Sequence, residues 1–435
     1  MSAESLADLL GSAAAILAGE YVAEGPALDL LNRLDYLDDG AEAAPHRAAL
    51  LRAAAGFRRI FTLRAEDAPG LVALGAEVDA GCLGVADAPV GGVSGTGLSF
   101  RQAFESCVGE GVEYIAGFAT PADNLVALDA ADVMAEATPA LRALWTRVQP
   151  YRRDPQAPRT DWVAAANLAD GSPAWLPADL CLRRPAASRD LDPPWPLSTG
   201  CGAGPDPLAA TLHGLLELIE RDAVALWLRG GVRPRIVPPG PGSEMLARLR
   251  GAVTPRRTWL LDITTDIGVP VVAAVACNDG GFGMCRGHAC RPTLAAASDA
   301  ALMELAQMEL GYRLSATKRA VRGEAALNHT DRQHIDRYTQ LDVATMPVLL
   351  PLAPPTASCD LPPNNSITIL AGLRKRLDAV GVEVYAMNLT RPELGIPVTR
   401  TFAPALEMGL TAPASERLRA VAAASGMDLA RKVVL

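Results

Sequence analysis

One spacing occurs twice in this chain and restricts what it can fold into. The pattern Gly-x12-Glu-x-x-Glu runs from Gly97 to Glu110 and Glu113, and again from Gly204 to Glu217 and Glu220. Both copies follow a Ser/Thr/Gly-rich loop, which starts at Ser94 in the first and at Ser198 in the second. A helix turns by about 100° per residue, so each Glu-x-x-Glu pair lies on one face. In the first copy that face also carries Ala103, Ser106 and Gly117, with Phe104, Val108, Val112 and Ile115 opposite. In the second, Ala210, His213, Glu217, Glu220 and Val224 share a face, with Leu215, Ile219 and Leu226 opposite. A single such pair reads as a solvated helix face, because glutamate is a good helix former. Two pairs in matched register behind matched loops read as a duplicated device for holding cations against phosphates.

Four carboxylates drawn together repel one another and take up protons unless cations neutralise them. Mg2+, as two or more ions, suits hard oxygen ligands that share an octahedral shell with phosphates. A glycine-rich loop feeding a helix N-terminus adds N–H donors and a favourable dipole for phosphate. No G-x-x-x-x-G-K-[ST] occurs, which excludes a P-loop. A third helix, TLAAASDAALMELAQMELGYRL, repeats the spacing as Glu304 and Gln307, with Glu309 and Arg313 close by. Taken alone, that third pair reads as a solvent-facing stripe.

The net charge of −9 and the lack of a long basic run argue against a general nucleic-acid binder. Lysine occurs only at Lys318, Lys375 and Lys432, so any anion site must use arginine, backbone N–H groups or metal. No apolar run reaches about 18 residues, and no membrane span is expected. The N-terminal MSAESLADLLGSAAAILAGE lacks a basic n-region and reads as an amphipathic helix. Eight cysteines without framework spacing point to a reduced, cytoplasmic setting.

Residues 1–68 read as a helical N-terminal region, followed by a catalytic domain over 69–435. In that domain a Gly/Val/Ala-rich stretch reads as strands and turns leading into the first glutamate helix. The span 120–195 reads as an irregular, proline-rich connection. TWLLDITTDIGVPVVAAVAC reads as two strands about a turn, and VEVYAMNLT and IPVTRTFAPALE as two more. This alternation points to an α/β or α+β core in which paired β-meanders and helices repeat. Cys285, His288 and Cys290 in CRGHAC do not have zinc-site spacing and read as a strand and turn with incidental cysteines. His329 and His334 read as surface residues. His213, one turn before Glu217, is a candidate neighbour of ligand or substrate. Cys107 and Cys201 read as small packing residues.

The segments SGTGLSFRQAFESCVGEGVE, STGCGAGPDPLAATLHGLLELIERDA, DITTDIGVPVV, ALMELAQ and IPVTRTFAPALE, in this order, resemble the YcaO family over roughly residues 70–410. The resemblance implies an α+β fold of pseudo-duplicated helix and sheet units around a central nucleotide site, and a Mg2+–ATP-dependent enzyme that phosphorylates a backbone amide oxygen of a ribosomally made precursor peptide. Loss of phosphate then leaves a thiazoline or oxazoline ring, or a thioamide where sulfide is the nucleophile. By this resemblance Glu110, Glu113, Glu217 and Glu220 are the metal carboxylates. Ser94, Gly97, Ser198 and Gly200 lie at nucleotide-contacting loop positions, joined by Glu304 and Gln307. Arg221 lies near the phosphates, and Arg221, Glu217 and Glu220 carry the catalytic expectation. Asp222 projects to the apolar side of its helix and is expected to be structural.

Three departures stand out: Thr96 where the family often has lysine, Glu309 where it usually has arginine, and an end in LARKVVL where many members carry Pro-x-Pro-x-Pro. Family habit further implies a leader-binding, E1-like partner protein, a flavin dehydrogenase where azoles are made, and a homodimer. Thioamide formation and a degenerate, non-catalytic scaffold are the alternatives to cyclodehydration.

Overall fold

The structure, a computed structural model, describes residues 3–21, 24–38, 40, 42–85, 88–251, 256–355, 360–362 and 365–430. From Arg431 onward the LARKVVL end, with Lys432, lies outside the described residues. Two compact units are present. The first comprises Met1–Leu63, Val72–Leu215 and Glu383–Pro404, and the second Arg64–Leu71, Leu216–Val382 and Ala405–Leu435.

The first unit opens with helices α1 (Ala3–Leu17), α2 (Gly25–Arg33) and α3 (Ala44–Ala55), which bury Leu10, Leu31 and Leu51. Strands β1 (Arg59–Leu63), β2 (Val72–Val78) and β3 (Gly91–Gly97) form an antiparallel sheet in that order. Helix α4 (Phe100–Ala116), carrying the first glutamate pair, packs on β3. The Ser94–Gly97 segment expected as a loop is therefore an edge strand, with Ser94 opposite Gly75 and Gly97 opposite Val72.

The stretch 120–195 holds more order than its prolines suggest: β4 (Val126–Asp129), α5 (Ala130–Glu136), α6 (Pro139–Val148), β5 (Arg159–Asn167), β6 (Pro173–Pro177) and α7 (Ala178–Cys181). Pro139 sits in a first helical turn, and Pro173 and Pro177 bound a strand, all positions that proline tolerates. The second sheet of this unit runs β4-β5-β12-β13-β7, with β6 on β5. Its remaining strands are β7 (Cys201–Ala203), β12 (Tyr385–Asn388) and β13 (Val398–Phe402). Trp162, Tyr385 and Phe402 fill its core. Arg391 ties the turn between β12 and β13 to the end of α4 by donating to the carbonyls of Ala116 and Phe118 and pairing with Asp123.

Helix α8 (Pro207–Leu228) carries the second glutamate pair, and the division between units falls within it, after Leu215. The second unit adds β8 (Arg235–Ile236), α9 (Ser243–Arg250), β9 (Arg257–Asp262), β10 (Val271–Cys277) and β11 (Cys285–Cys290), a sheet ordered β11-β10-β9-β8. Strand β10, an unbroken apolar run, is buried at every position. Helix α10 (Leu294–Arg322) packs on β11, followed by α11 (His329–Gln340), α12 (Ser366–Ala379) and α13 (Glu416–Ser425). Among the described residues no helix is long and apolar enough to cross a membrane.

The doubled sequence pattern is a doubled structure. A Cβ on Gly95 would overlap Ala103 O and Cys107 N, and one on Gly202 would overlap Ala210 O and Gly214 N. Gly97 presses likewise on Gln102 and Ala103, and Gly204 on Ala209 and Ala210. Each contact in the β7–α8 copy lies 107 residues after its counterpart in the β3–α4 copy. Strand backbone and helix backbone approach so closely that only hydrogen fits between them. Gly287 on β11 meets Ala301 and Leu305 of α10 in the same manner, a third strand–helix pair that the glutamate spacing alone did not reveal.

Candidate active site

In the first unit both glutamates of α4 grip strand backbone. Glu110 Oε2 accepts from Ser94 N at 3.3 Å, and Glu113 Oε1 accepts from Ala203 N at 2.7 Å. His213 Nδ1 donates to the carbonyl of the same Ala203 at 2.8 Å, which fixes the tautomer and leaves Nε2 as an acceptor. The loop before β7 turns through Gly200, whose φ of +81° suits glycine, while its carbonyl accepts from Thr401 N at 2.7 Å. First-turn N–H groups of both helices are already taken: Ser99 Oγ accepts from Gln102 N, and Asp206 Oδ1 from Leu208 N and Ala209 N. Burial pushes the Cys107 thiol up to about 12, which suits packing rather than nucleophilic work.

The second unit assembles a denser cluster. Arg221 Nη2 donates to Glu217 Oε1 at 3.1 Å, and its Nη1 lies 3.2 Å from Glu220 Oε1. The same Glu220 oxygen accepts from His288 Nδ1 at 3.0 Å, while its Oε2 accepts from Cys290 N at 3.3 Å. Glu304 Oε2 accepts from His288 N at 2.9 Å. One ligand-capable atom each from Glu220, His288 and Glu304 lie within 4.8 Å of one another, a donor set able to hold a divalent cation.

Burial works against the Glu220 carboxylate, but Arg221 and His288 outweigh it and hold its pKa below the usual range. For Arg221 burial opposes the charge, and Glu220, Glu217 and Glu304 more than restore it. Glu304 is half-buried and joins this cluster through the His288 N–H, so it is not a simple solvent-facing stripe.

His288, read in the sequence as part of an incidental strand and turn, and Arg286, not assigned there at all, are the residues the structure adds to the site. The signal was alternation along CRGHAC: Gly287 presses on α10, which sends Arg286 and His288 to the other face of β11. Cys285 and Cys290 are buried free thiols, and burial raises Cys285 to about 12. The Arg286 guanidinium is buried and has no hydrogen-bond or ion-pair partner among the described residues. Burial, with Arg337 close by, pulls its pKa down to about 9.

Two further carboxylates are structural. Glu309, which stands where the family usually has arginine, is buried against Arg250 at 2.5 and 2.9 Å and Arg256 at 2.8 Å. Asp222, on the apolar side of α8 as its helix position requires, accepts from Glu407 N at 3.1 Å and Arg417 Nε at 2.9 Å. Burial pushes Asp222 up to about 6, with Arg417 opposing. Its folded pKa lies above the unfolded value, so its stabilising share is complete below pH 3.8 and is lost as pH rises through about 6. Urea unfolding of the wild type should therefore lose about 2 kcal/mol, relative to Asp222→Asn, between pH 4 and pH 7.5. Parallel pH profiles of the two proteins would contradict this.

A family model described as YcaO cyclodehydratase, ATP- and Mg2+-binding, matches residues 94–407. A relative from Rhizobium leguminosarum bv. trifolii, an uncharacterized protein in the tfuA 3' region, is 36% identical over 127 residues, or 26% of this chain and 30% of that protein. Among solved structures, a heterocyclase in complex with substrate and cofactor is similar with a TM-score of 0.65 at 20% identity, over 85% of this chain and 53% of that one. YcaO from Methanopyrus kandleri, bound with AMPPCP and Mg2+, gives 0.57 at 20% identity, over 86% and 90%. The E. coli microcin synthetase McbBCD complex with pro-MccB17 bound gives 0.56 at 14%, over 80% and 88%. At such identities the structural likeness is one of fold, and the chain spans about half of the heterocyclase's length.

Proposed function

The chain belongs to the YcaO family, and on that premise we propose that it is the Mg2+–ATP-dependent cyclodehydratase subunit for a ribosomally made precursor peptide. The observation that carries this reading is the Glu220–Arg221–His288–Glu304 cluster, built on the buried Glu220 and part-buried around it, a cation-capable donor set with an arginine held charged beside it. The reading assigns metal ligation to Glu110 and Glu113 in the first unit, and to Glu217 and Glu220 in the second, with His288 and Glu304 added. Ser94, Gly97, Ser198, Gly200 and Gln307 are assigned to the nucleotide. Bound Mg2+ would supply charge neutralisation to the phosphoryl group in transfer.

The chain's own residues then have defined tasks. Arg221 offers N–H donors to developing phosphate charge while Glu217 and Glu220 fix its plane. His213 and Glu113 clamp the peptide unit of Ala203 from its two sides, so the β7 backbone keeps its position. In the reaction a Cys, Ser or Thr side chain adds to the preceding carbonyl, and the amide oxygen takes the γ-phosphoryl group of ATP, releasing ADP. Departure of phosphate with that oxygen, and loss of the amide proton, leaves the azoline.

The test is the purified protein with its precursor peptide, an E1-like leader-binding partner and Mg2+–ATP. The expected product has lost one water per ring, with ATP consumed in step. A peptide left intact at saturating Mg2+–ATP would remove this reading. Exchange of oxygen for sulfur in the presence of sulfide would replace it with thioamide formation, and absence of Mg2+–ATP binding would leave a scaffold.

A further inference from the structure

Five arginines are fully buried among the described residues: Arg47, Arg184, Arg286, Arg391 and Arg400. Apart from Arg286, each donates guanidinium N–H groups to the protein, although Arg400 leaves its Nε without a partner. Arg47 donates to the Tyr36 carbonyl, Arg184 to Asp179, Arg391 to Asp123 and two carbonyls, and Arg400 to the carbonyls of Leu180 and Leu197. Arg286 differs from all of them. It is 7% exposed, its Nη1 is sealed from solvent without a partner, and no carboxylate pairs with its guanidinium among the described residues.

The charges that act on Arg286 are Arg337, Glu304 and Arg221. Arg221 is engaged with Glu217 and Glu220, and Glu304 with the His288 N–H. Arg337, on α11, also has a buried Nε without a partner. Two arginines with unspent donors thus act on one another through their charge, and the carboxylate that acts on Arg286 is committed elsewhere. A buried unpaired charge is costly, and a fold that keeps one has a counterion to receive.

We propose that Arg286, backed by Arg337, is a receptor for a phosphate oxyanion beside the Glu220–His288–Glu304 cluster. This rests on the nucleotide reading for the source of that phosphate, either the polyphosphate of bound ATP or the inorganic phosphate it releases. Planar guanidinium donors suit the oxygens of such a group, and a chain poor in lysine leaves arginine to supply them.

Calorimetry and thermal unfolding of the full chain test this, using wild type, Arg286→Met and Arg286→Lys with pyrophosphate, inorganic phosphate and Mg2+–AMPPCP as separate probes. In phosphate-free buffer Arg286→Met should be as stable as wild type or more so, because an unpaired buried charge has gone. Pyrophosphate should raise the wild-type Tm and leave that of Arg286→Met unmoved, with a partial response in Arg286→Lys. An Mg2+–AMPPCP affinity about 10–100-fold weaker in Arg286→Met identifies the nucleotide as the source. Unchanged AMPPCP affinity with lost phosphate binding identifies the released anion. If the wild type responds to pyrophosphate but not to Mg2+–AMPPCP, the receptor stands and the nucleotide reading falls. If Arg286→Met binds every probe as the wild type does, or the wild type binds neither phosphate nor pyrophosphate, the receptor is refuted.

Discussion

Glu220→Gln is expected to weaken Mg2+–ATP binding and ATP turnover by about a hundredfold or more while leaving the protein folded. Glu220 is nine-tenths buried and meets Arg221, His288 and the Cys290 N–H through its two oxygens. Glutamine keeps the shape and one acceptor oxygen, so the Cys290 N–H retains its partner. What disappears is the negative charge, which removes a cation ligand and leaves Arg221 more dependent on Glu217. A hundredfold loss of affinity is about 2.8 kcal/mol, the scale expected when a charged group that a bound ligand relies on is neutralised. Calorimetry with Mg2+–AMPPCP, beside far-UV circular dichroism of the same samples, separates binding from folding. A Glu220→Gln protein with wild-type affinity would show that this carboxylate serves architecture alone.

Gly95→Ala is expected to be the most damaging single-methyl change in the first unit, costing about 3 kcal/mol or more and preventing accumulation of folded protein. The added carbon would overlap backbone atoms, Cys107 N and Ala103 O, and backbone cannot swing aside as a side chain can. Relief would require α4 to move away from β3, pulling Glu110 from the Ser94 N–H. Gly109→Ala, on the same helix with open space around it, is the control. It should stabilise by about 0.5–1 kcal/mol through helix propensity alone. Equal unfolding midpoints for the two variants would contradict the close-packing account.

How much was legible in the sequence depended on how local each signal was. The doubled glutamate spacing was readable because helix geometry maps sequence onto a face over a few turns, and Asp222 was assigned to the apolar side on the same grounds. The two strands about TTDIGVP were also readable, bounded by the turn that joins β9 to β10. The β3 segment was read as a loop because glycine and serine are common in loops. Here glycine serves the approach of α4, a fact that exists only between two elements.

The sheet hidden in 120–195 was obscured because its proline clusters weigh against strands, although β5 pairs locally with β4 and β6; only its short pairing with β12 reaches more than 200 residues along the chain. His288 was read as incidental because no local pattern announces its partners. Its meaning depends on Glu220 and Glu304, which reach it from two separate helices. Glu309 looked like a defect against the family pattern. Arg250 and Arg256 explain it as the centre of a buried ionic cluster.

The second glutamate of each pair accepts an N–H from the strand that begins the following strand–helix pair: Glu113 from Ala203 on β7, and Glu220 from Cys290 on β11. These side chains are couplings between successive segments of the chain before they are anything else. A descendant that lost its chemistry would still need an oxygen acceptor at both places. Its decay would then show first as exchange of glutamate for glutamine rather than for alanine. Retention of the paired acceptors in a homologue therefore speaks for an intact framework, and only retention of their charge speaks for activity.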